Sequence, residues 1–355
     1  MSKKDIKKVF VGLSGGVDSS VAALLLEKEG YDVTGIFIHS YNVDGCAERD
    51  ADDARRVAAQ LDIPFYTFDF EKEYWERVVQ YMIDGYARGI TPNPDIMCNK
   101  EIKFGLFLKK ALEMGVDYIA TGHYIRLQNK RLYIAKDKNK DQSYFLWTLT
   151  QEQLQYCLFP VGDYLKSEVR DIAREARLLT AEKKDSQGIC FLGQIHLRNF
   201  LQKYIPLRSG SVVNENGENI GTHEGVQFYT IGQRHIGVGN LAHGSSSQPH
   251  YVVGKDIHTN TLTVAEGRDS VIASKKEIEL RDVSFVNREF EIENKEIPIM
   301  ARIRYRQPLA KAVIYSSTPG TYNLTFEESQ KFVAPGQSAV FYSREGELLG
   351  GGIIV

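Results

Sequence analysis

No stretch of this chain approaches the roughly 18 consecutive apolar residues that a membrane-spanning helix needs. Met1-Ser2-Lys3-Lys4-Asp5-Ile6-Lys7-Lys8 runs straight into the first apolar segment, with no apolar signal region between. The expectation is a cytoplasmic protein without a membrane partner. Cysteine is scarce: Cys46, Cys98, Cys157 and Cys190 are the four, and no two form a C-x-x-C pair, which argues against structural zinc. A surplus of charge is missing as well. With 44 Lys and Arg against 46 Asp and Glu the formal net charge is -2, so any binding of nucleic acid has to come from local basic patches. No internal repeat or low-complexity tail is present, and Gly244-Ser245-Ser246-Ser247 reads as a mobile loop.

What is present is enough chain for two or three domains: 355 residues, 43% hydrophobic and 25% charged. Apolar runs alternate with amphipathic stretches over the first 120 residues. Strands are expected at 8–13, 32–38 and 64–69, helices at 18–29, 47–61 and 72–88, then a helix at 100–114 and a strand at Tyr118-Ile119-Ala120. This is the rhythm of a parallel sheet, whose strands open at their carboxyl ends on a ligand crevice. From 143 to about 200 the pattern is helical but less regular. Beyond Ile205-Pro206-Leu207 short alternating runs appear, among them Gly210 to Val213, Tyr251 to Gly254 and Thr261 to Val264, and predict a small β-rich unit. A second all-β stretch from about 277, with strands at Ile297 to Tyr305, Ala312 to Ser316 and Ser338 to Tyr342, has the spacing of a barrel or sandwich.

The most informative segment is Ser14-Gly15-Gly16-Val17-Asp18-Ser19-Ser20, between the apolar run Val9 to Leu13 and the helical run Val21 to Leu26. Strand, two glycines and a helix start bring backbone N–H groups and a positive helix end to one place, which suits polyphosphate. No lysine follows the last glycine, so the G-x-x-x-x-G-K-[ST] loop is excluded. The segment instead resembles the S-G-G-x-D-S pyrophosphate loop of enzymes that split ATP between its α and β phosphates.

Two of the cysteines have suggestive surroundings. In Thr91-Pro92-Asn93-Pro94-Asp95-Ile96-Met97-Cys98-Asn99-Lys100, two prolines enforce extended chain and a helix is expected to begin near Cys98. A thiol at a helix start near Lys100 and Lys103 has electropositive surroundings, and Asp95 is placed for acid/base or capping duty. A buried cysteine beside a capping aspartate fits the same residues. Cys190, in Asp185-Ser186-Gln187-Gly188-Ile189-Cys190-Phe191, follows a polar turn leading to an expected apolar strand; it too reads as structural or as a sulfur carrier. Cys46 and Cys157 read as structural.

Together these segments identify the chain as similar, over essentially its whole length, to the tRNA-uridine 2-sulfurtransferase (tRNA-specific 2-thiouridylase) family. The resemblance rests on Gly12 to Ser20, Thr91 to Phe104, Ala120 to Tyr124, Lys140 to Leu146, Ser186 to Phe191, Thr230 to Arg234 and Arg304 to Gln307. It implies an α/β fold: a parallel-sheet pyrophosphate-loop (adenine nucleotide α-hydrolase-like) domain over 1–203, a small β-rich middle domain over 204–274 and a tRNA-contacting C-terminal β-barrel over 275–355. Gly12, Leu13, Ser14, Gly15, Gly16, Val17, Asp18 and Ser19 would hold ATP with Mg2+, and Ile38 and Gly122 would frame the adenosine. The family often has an M-K-N-W-like run where this chain has Ile38-His39-Ser40-Tyr41, so the pocket wall stays apolar at Ile38. Asn93, Pro94 and Asp95 would contact the target base, Cys98 would be the nucleophile and Cys190 the persulfide carrier.

By the same resemblance His123, Lys140, Asp141, Gln142, Arg304, Tyr305 and Gln337 would touch the anticodon stem-loop of Lys, Glu and Gln tRNAs, with a sulfur-relay protein or cysteine desulfurase as donor. Strand alternation independently puts Arg302, Arg304 and Arg306 on one face. The implied chemistry is adenylation of uracil O2 with loss of pyrophosphate, then replacement of that oxygen by persulfide sulfur. Whether free hydrosulfide or a covalent adduct intervenes is left open by the sequence. A pyrophosphate-loop ligase or amidotransferase-type enzyme acting on a small carboxylate or amide is the alternative, and the two cysteines discriminate between them.

Overall fold

The computed structural model describes residues 6–41, 43, 45–185, 190–192, 195–234, 236, 249–267, 274–287, 296–318 and 320–355, without the side chains of Cys46, Cys190 and Ser317. Five parallel strands form the first sheet, in the order Phe65–Asp69, Asp32–His39, Lys8–Gly12, Tyr118–Ala120 and Cys157–Leu158. The central strand is apolar over residues 9–11 because both of its faces are covered there. Val9 and Val11 point into one core with Val21, Ala22 and Phe37, while Phe10 points into the other with Ile36, Phe68 and Phe107. The helix Val17–Lys28 closes the first of these faces.

Chain order fixes where a ligand belongs. From the central strand the chain moves outward to Asp32–His39 and Phe65–Asp69, then crosses back to lay Tyr118–Ala120 on the other side of Lys8–Gly12. The order reverses between Lys8–Gly12 and Tyr118–Ala120, and a crevice opens beyond the carboxyl ends of such a pair. Residues 13–19 and 121–123 leave the sheet there.

The middle unit is a four-stranded sheet in the order His250–Asp256, Thr261–Glu266, Gly210–Val213 and Asn219–His223. The last unit is a closed six-stranded antiparallel barrel, from Ser274–Phe285 through Thr321–Lys331, Ala310–Thr318, Ile297–Arg302 and Ser338–Tyr342 to Leu348–Ile354. Closure removes both sheet edges.

Four local expectations change. The helix expected from 100 begins at Pro94, because Asn93 caps it: its side chain accepts from Asp95 N and Ile96 N, with proline at the first helical position. Cys98 thus lies one turn inside the helix, beyond the residues that feel its N-terminal field most. Cys157–Leu158 is the fifth strand of the sheet, unforeseen because two residues show no periodicity. Cys190–Leu192 is a 3-10 turn instead of a strand. The strand expected to run to Tyr305 ends at Arg302, so Arg302, Arg304 and Arg306 do not share a strand face. Gly244 to Ser247 fall outside the described residues.

Candidate active site

The loop after the central strand is built for an anion. Leu13 N donates to Ile36 O at 2.8 Å, Ser19 Oγ accepts from Ser14 N at 3.1 Å, and Ser19 Oγ and Ser20 Oγ both bond Gly16 O. Gly15 takes φ +70°, and a Cβ there would meet Asp50 O at 2.4 Å. Gly16 is the N-cap of Val17–Lys28 and offers no side chain to the first-turn N–H groups, so these donors suit phosphate oxygens. Gly122 closes the far wall: a Cβ there would sit 2.6 Å from Asp18 C and Ser19 N. The two loops expected at the crevice are therefore in direct contact.

One residue of this site has no place in the motif. Lys166, 12% exposed, sets its Nζ 2.6 and 2.8 Å from the two oxygens of Asp18 and 2.9 Å from Asp185. Tyr124 OH donates to the same Asp18 at 2.8 Å. Lys166 is the first residue of the helix Lys166–Glu175, where a cation opposes the helix dipole. Asp185 is also bonded by Lys140 and Arg170. Burial alone raises its pKa, but Lys140 and Lys166 outweigh this and hold it at about 2. Lys183 reaches Asp50 and Asp53, and Thr180 Oγ1 donates to Ser20 Oγ at 3.0 Å. Residues 180–185 are thereby strapped over the phosphate loop, five residues before Cys190.

The helical segment bearing Cys98 packs against the end of the central strand and against His123. A Cβ on Gly12 would lie 3.8 Å from the Phe107 ring, and the Phe104 ring is 5.9 Å from that of His123. Cys98 is buried among Ile96, Ile102 and their neighbours, and Asn99 Nδ2 donates to Phe145 O at 3.1 Å. The Phe145 ring in turn packs 4.6 Å from Tyr305 of the barrel unit. Asp95 is half-buried in the first turn, while Asn93 does the capping. Ile38 and His39 end the strand Asp32–His39; His39, Asp69 and Glu71 bring ligand atoms within 4.8 Å of one another at that edge. Asp69 already accepts from Glu71 N and lies 3.1 Å from His39 Nδ1, which accounts for the trio without a cation. Cys157 is inert: burial raises its pKa and its Sγ donates to Gln153 O.

Several residues expected at a tRNA surface make contacts within and between the units here. Asp141, 4% exposed, accepts from Ala135 N, Ser143 N and Ser143 Oγ and pairs with Arg302, which also bonds Tyr342 OH. Arg304 Nη2 donates to Ile231 O and Phe332 O, and Gln337 Nε2 to Thr91 O at 2.8 Å. Gln142 Oε1 accepts from Tyr124 N. Lys140 keeps about a third of its side chain exposed beside Asp185. His123 is buried with Nδ1 2.8 Å from Thr121 Oγ1, and burial, with Lys103 adding to it, drives its pKa well below the usual value.

Sequence comparison fits this architecture unit by unit. Residues 7–194 match the profile described as tRNA methyl transferase HUP domain, 198–266 the tRNA methyl transferase PRC-barrel domain, and 275–354 the aminomethyltransferase beta-barrel domain. The chain is 47% identical, over 96% of its length and 93% of the relative's, to a tRNA-specific 2-thiouridylase of Geobacillus kaustophilus. It belongs to that family. Relatives of the same description from Bacillus licheniformis and Bacillus subtilis are 46% and 45% identical, each over 98% of this chain and 94% of theirs. The 2-thiouridylase fold is thus present in all three of its parts, and no helix among the described residues is long and apolar enough to cross a membrane.

Proposed function

We propose that this chain carries out ATP-dependent 2-thiolation of the wobble uridine of tRNA. One observation carries the reading: the helical run that bears Cys98 packs its Phe107 beside Gly12 and its Phe104 beside His123, next to the two loops at the carboxyl ends of the sheet. An ATP-splitting loop beside a cysteine suits a reaction that first activates a carbonyl oxygen and then replaces it by sulfur. The methyl-transfer description of two domain profiles has no comparable support in these residues.

In the proposed reaction uracil O2 attacks the α-phosphorus of ATP, and pyrophosphate leaves against the N–H groups at the start of Val17–Lys28 and the ammonium of Lys166. Asp18 would serve Mg2+ on the phosphates, and Ile38 and Gly122 would flank the adenosine. The terminal sulfur of a Cys190 persulfide then bonds C2. The Cys98 thiolate attacks the Cys190 sulfur, the S–S bond breaks with its electron pair going to the sulfur on C2, and AMP departs with the former O2. A Cys98–Cys190 disulfide remains, to be reduced by a dithiol before the next turnover. Release of hydrosulfide by Cys98 before attack on C2 balances in the same way. Asp95 would move the proton, and Asn93, Pro94 and His123 would face the base. Lys140, Gln142, Arg304, Tyr305 and Gln337 would meet the anticodon stem-loop, where unstacked bases are open to flipping. Lys, Glu and Gln tRNAs, with a sulfur-relay protein or cysteine desulfurase as donor, are the partners this reading implies.

Replacing Cys98 or Cys190 by Ser is expected to abolish formation of 2-thiouridine in tRNA incubated with ATP, Mg2+ and a persulfide donor, read by nucleoside mass spectrometry. Undiminished product from both variants would remove the sulfur-transfer reading.

A further inference from the structure

The segment that carries Cys98 is not a uniform helix. Pro94–Met97 and Leu108–Glu113 are α-helical, but the ten residues between them, Cys98–Phe107, adopt the wide π form with i→i+5 closure. Such turns are rare and concentrate at functional sites. This run starts at the cysteine read above as the nucleophile.

Gly105 makes the wide turns possible. A Cβ there would lie 2.7 Å from the carbonyl oxygen of Lys100, five residues back, and that backbone oxygen has no flexible end to swing aside. Both ends of the segment are held. At the start, Thr91 N donates to Pro335 O, Gln337 Nε2 to Thr91 O, and Asn93 caps the first turn. At the far end Phe104, Phe107, Leu108 and Ala111 are buried in the core. Each i→i+5 closure takes one more residue into a turn than an α closure does. With the ends fixed, such a run rotates the side chains on its two sides relative to one another around the axis. The face on which Cys98 sits, relative to the buried Phe104 and Phe107, therefore depends on the wide turns.

We propose that Gly105 is a positioning residue for Cys98: by admitting the π turns it sets the direction in which the thiol is presented to the crevice. This rests on the reading of Cys98 as nucleophile. An α-helical Cys98–Phe107 would keep the same residues in the same order and turn the thiol in a different direction.

The test compares full-length wild type with Gly105→Ala and with a deletion of Gly105, which removes the extra residue instead of adding a colliding carbon. Cys98→Ser is run in parallel. Three quantities are read: the thermal unfolding midpoint, the iodoacetamide alkylation rate of Cys98 by peptide mass spectrometry, normalised to a free-thiol reference peptide in the same sample, and kcat and KM for ATP in tRNA thiolation. At least one Gly105 variant is expected to fold. Its Cys98 alkylation rate should differ about threefold or more from wild type, and its kcat should fall about 100-fold with KM for ATP within about twofold. A folded variant with wild-type alkylation or wild-type kcat overturns the proposal. Failure of both variants to fold also overturns it, leaving Gly105 a purely structural role. Wild-type thiolation by Cys98→Ser would instead sink the nucleophile reading, while the alkylation comparison still decides what Gly105 does to the thiol.

Discussion

Lys166 is the side chain on which the charge of the crevice turns. Its ammonium answers two carboxylates, Asp18 on the phosphate loop and Asp185 on the strap, and a polyphosphate would add further negative charge at the same spot. Lys166→Met is expected to lower kcat/KM for ATP by about 100-fold or more, with Lys166→Arg between it and wild type, measured as tRNA-dependent pyrophosphate release. His123 gives a pH signature. Burial lowers its pKa in the folded state, so between that value and about 6.5 the unfolded chain binds the extra proton and stability rises with pH. Below about pH 6.5 wild type should lose up to about 1.4 kcal/mol per pH unit on this account, and His123→Gln should flatten that part of the denaturation profile. At this scale the phosphate loop was fully legible, because its glycines answer a local backbone demand at Gly15. Lys166 was not picked out, because its partners lie 148 and 19 positions away in the chain and nothing local records them.

The helix starting at Pro94 shows what an element adds to its residues. Asn93 holds the first turn, so Asn93→Ala should cost about 1 kcal/mol of stability by denaturant unfolding, and its effect on thiolation should exceed what that loss explains if Asn93 also meets the base. The two prolines around Asn93 suggested extended chain, yet asparagine followed by proline is also how a helix begins; the second meaning prevails here. The π turns were invisible because apolar periodicity over ten residues does not distinguish a wide turn from an ordinary one. The strand expected to reach Tyr305 stops early for a different reason. Arg304 leaves the ladder to bond Ile231 O and Phe332 O, and no alternation pattern reports a partner 73 residues away. By contrast the parallel strands, and the barrel strand Ser338–Tyr342, were legible because burial on one or both faces writes itself directly into residue type.

Across the whole molecule the segment 141–147 is the joint between the parallel-sheet unit and the barrel. Tyr144 OH and Trp147 Nε1 bond Ser338, Gly351 lies so close to Trp147 that a Cβ would meet its ring at 2.6 Å, and the buried Asp141–Arg302 pair sits among Ser143 and Tyr342. Arg302→Met is expected to destabilise the protein by about 3–5 kcal/mol by leaving Asp141 buried and unpaired, and Arg302→Met with Asp141→Leu should recover much of that loss in urea unfolding. A net charge of -2 places no strong field around the molecule. Any contact with tRNA therefore has to come from local groups, and on the proposed reading Lys140, partly exposed beside Asp185, would be one of them.

The central claim is that the phosphate loop and the two cysteines serve one reaction. The most direct measurement is nucleoside mass spectrometry of tRNA incubated with the protein, ATP, Mg2+ and a persulfide donor, with pyrophosphate counted in the same samples. The account predicts 2-thiouridine and pyrophosphate in equal amounts from wild type, and no 2-thiouridine from Cys98→Ser or Cys190→Ser. Pyrophosphate without 2-thiouridine from wild type, or full thiolation by both serine variants, would contradict it.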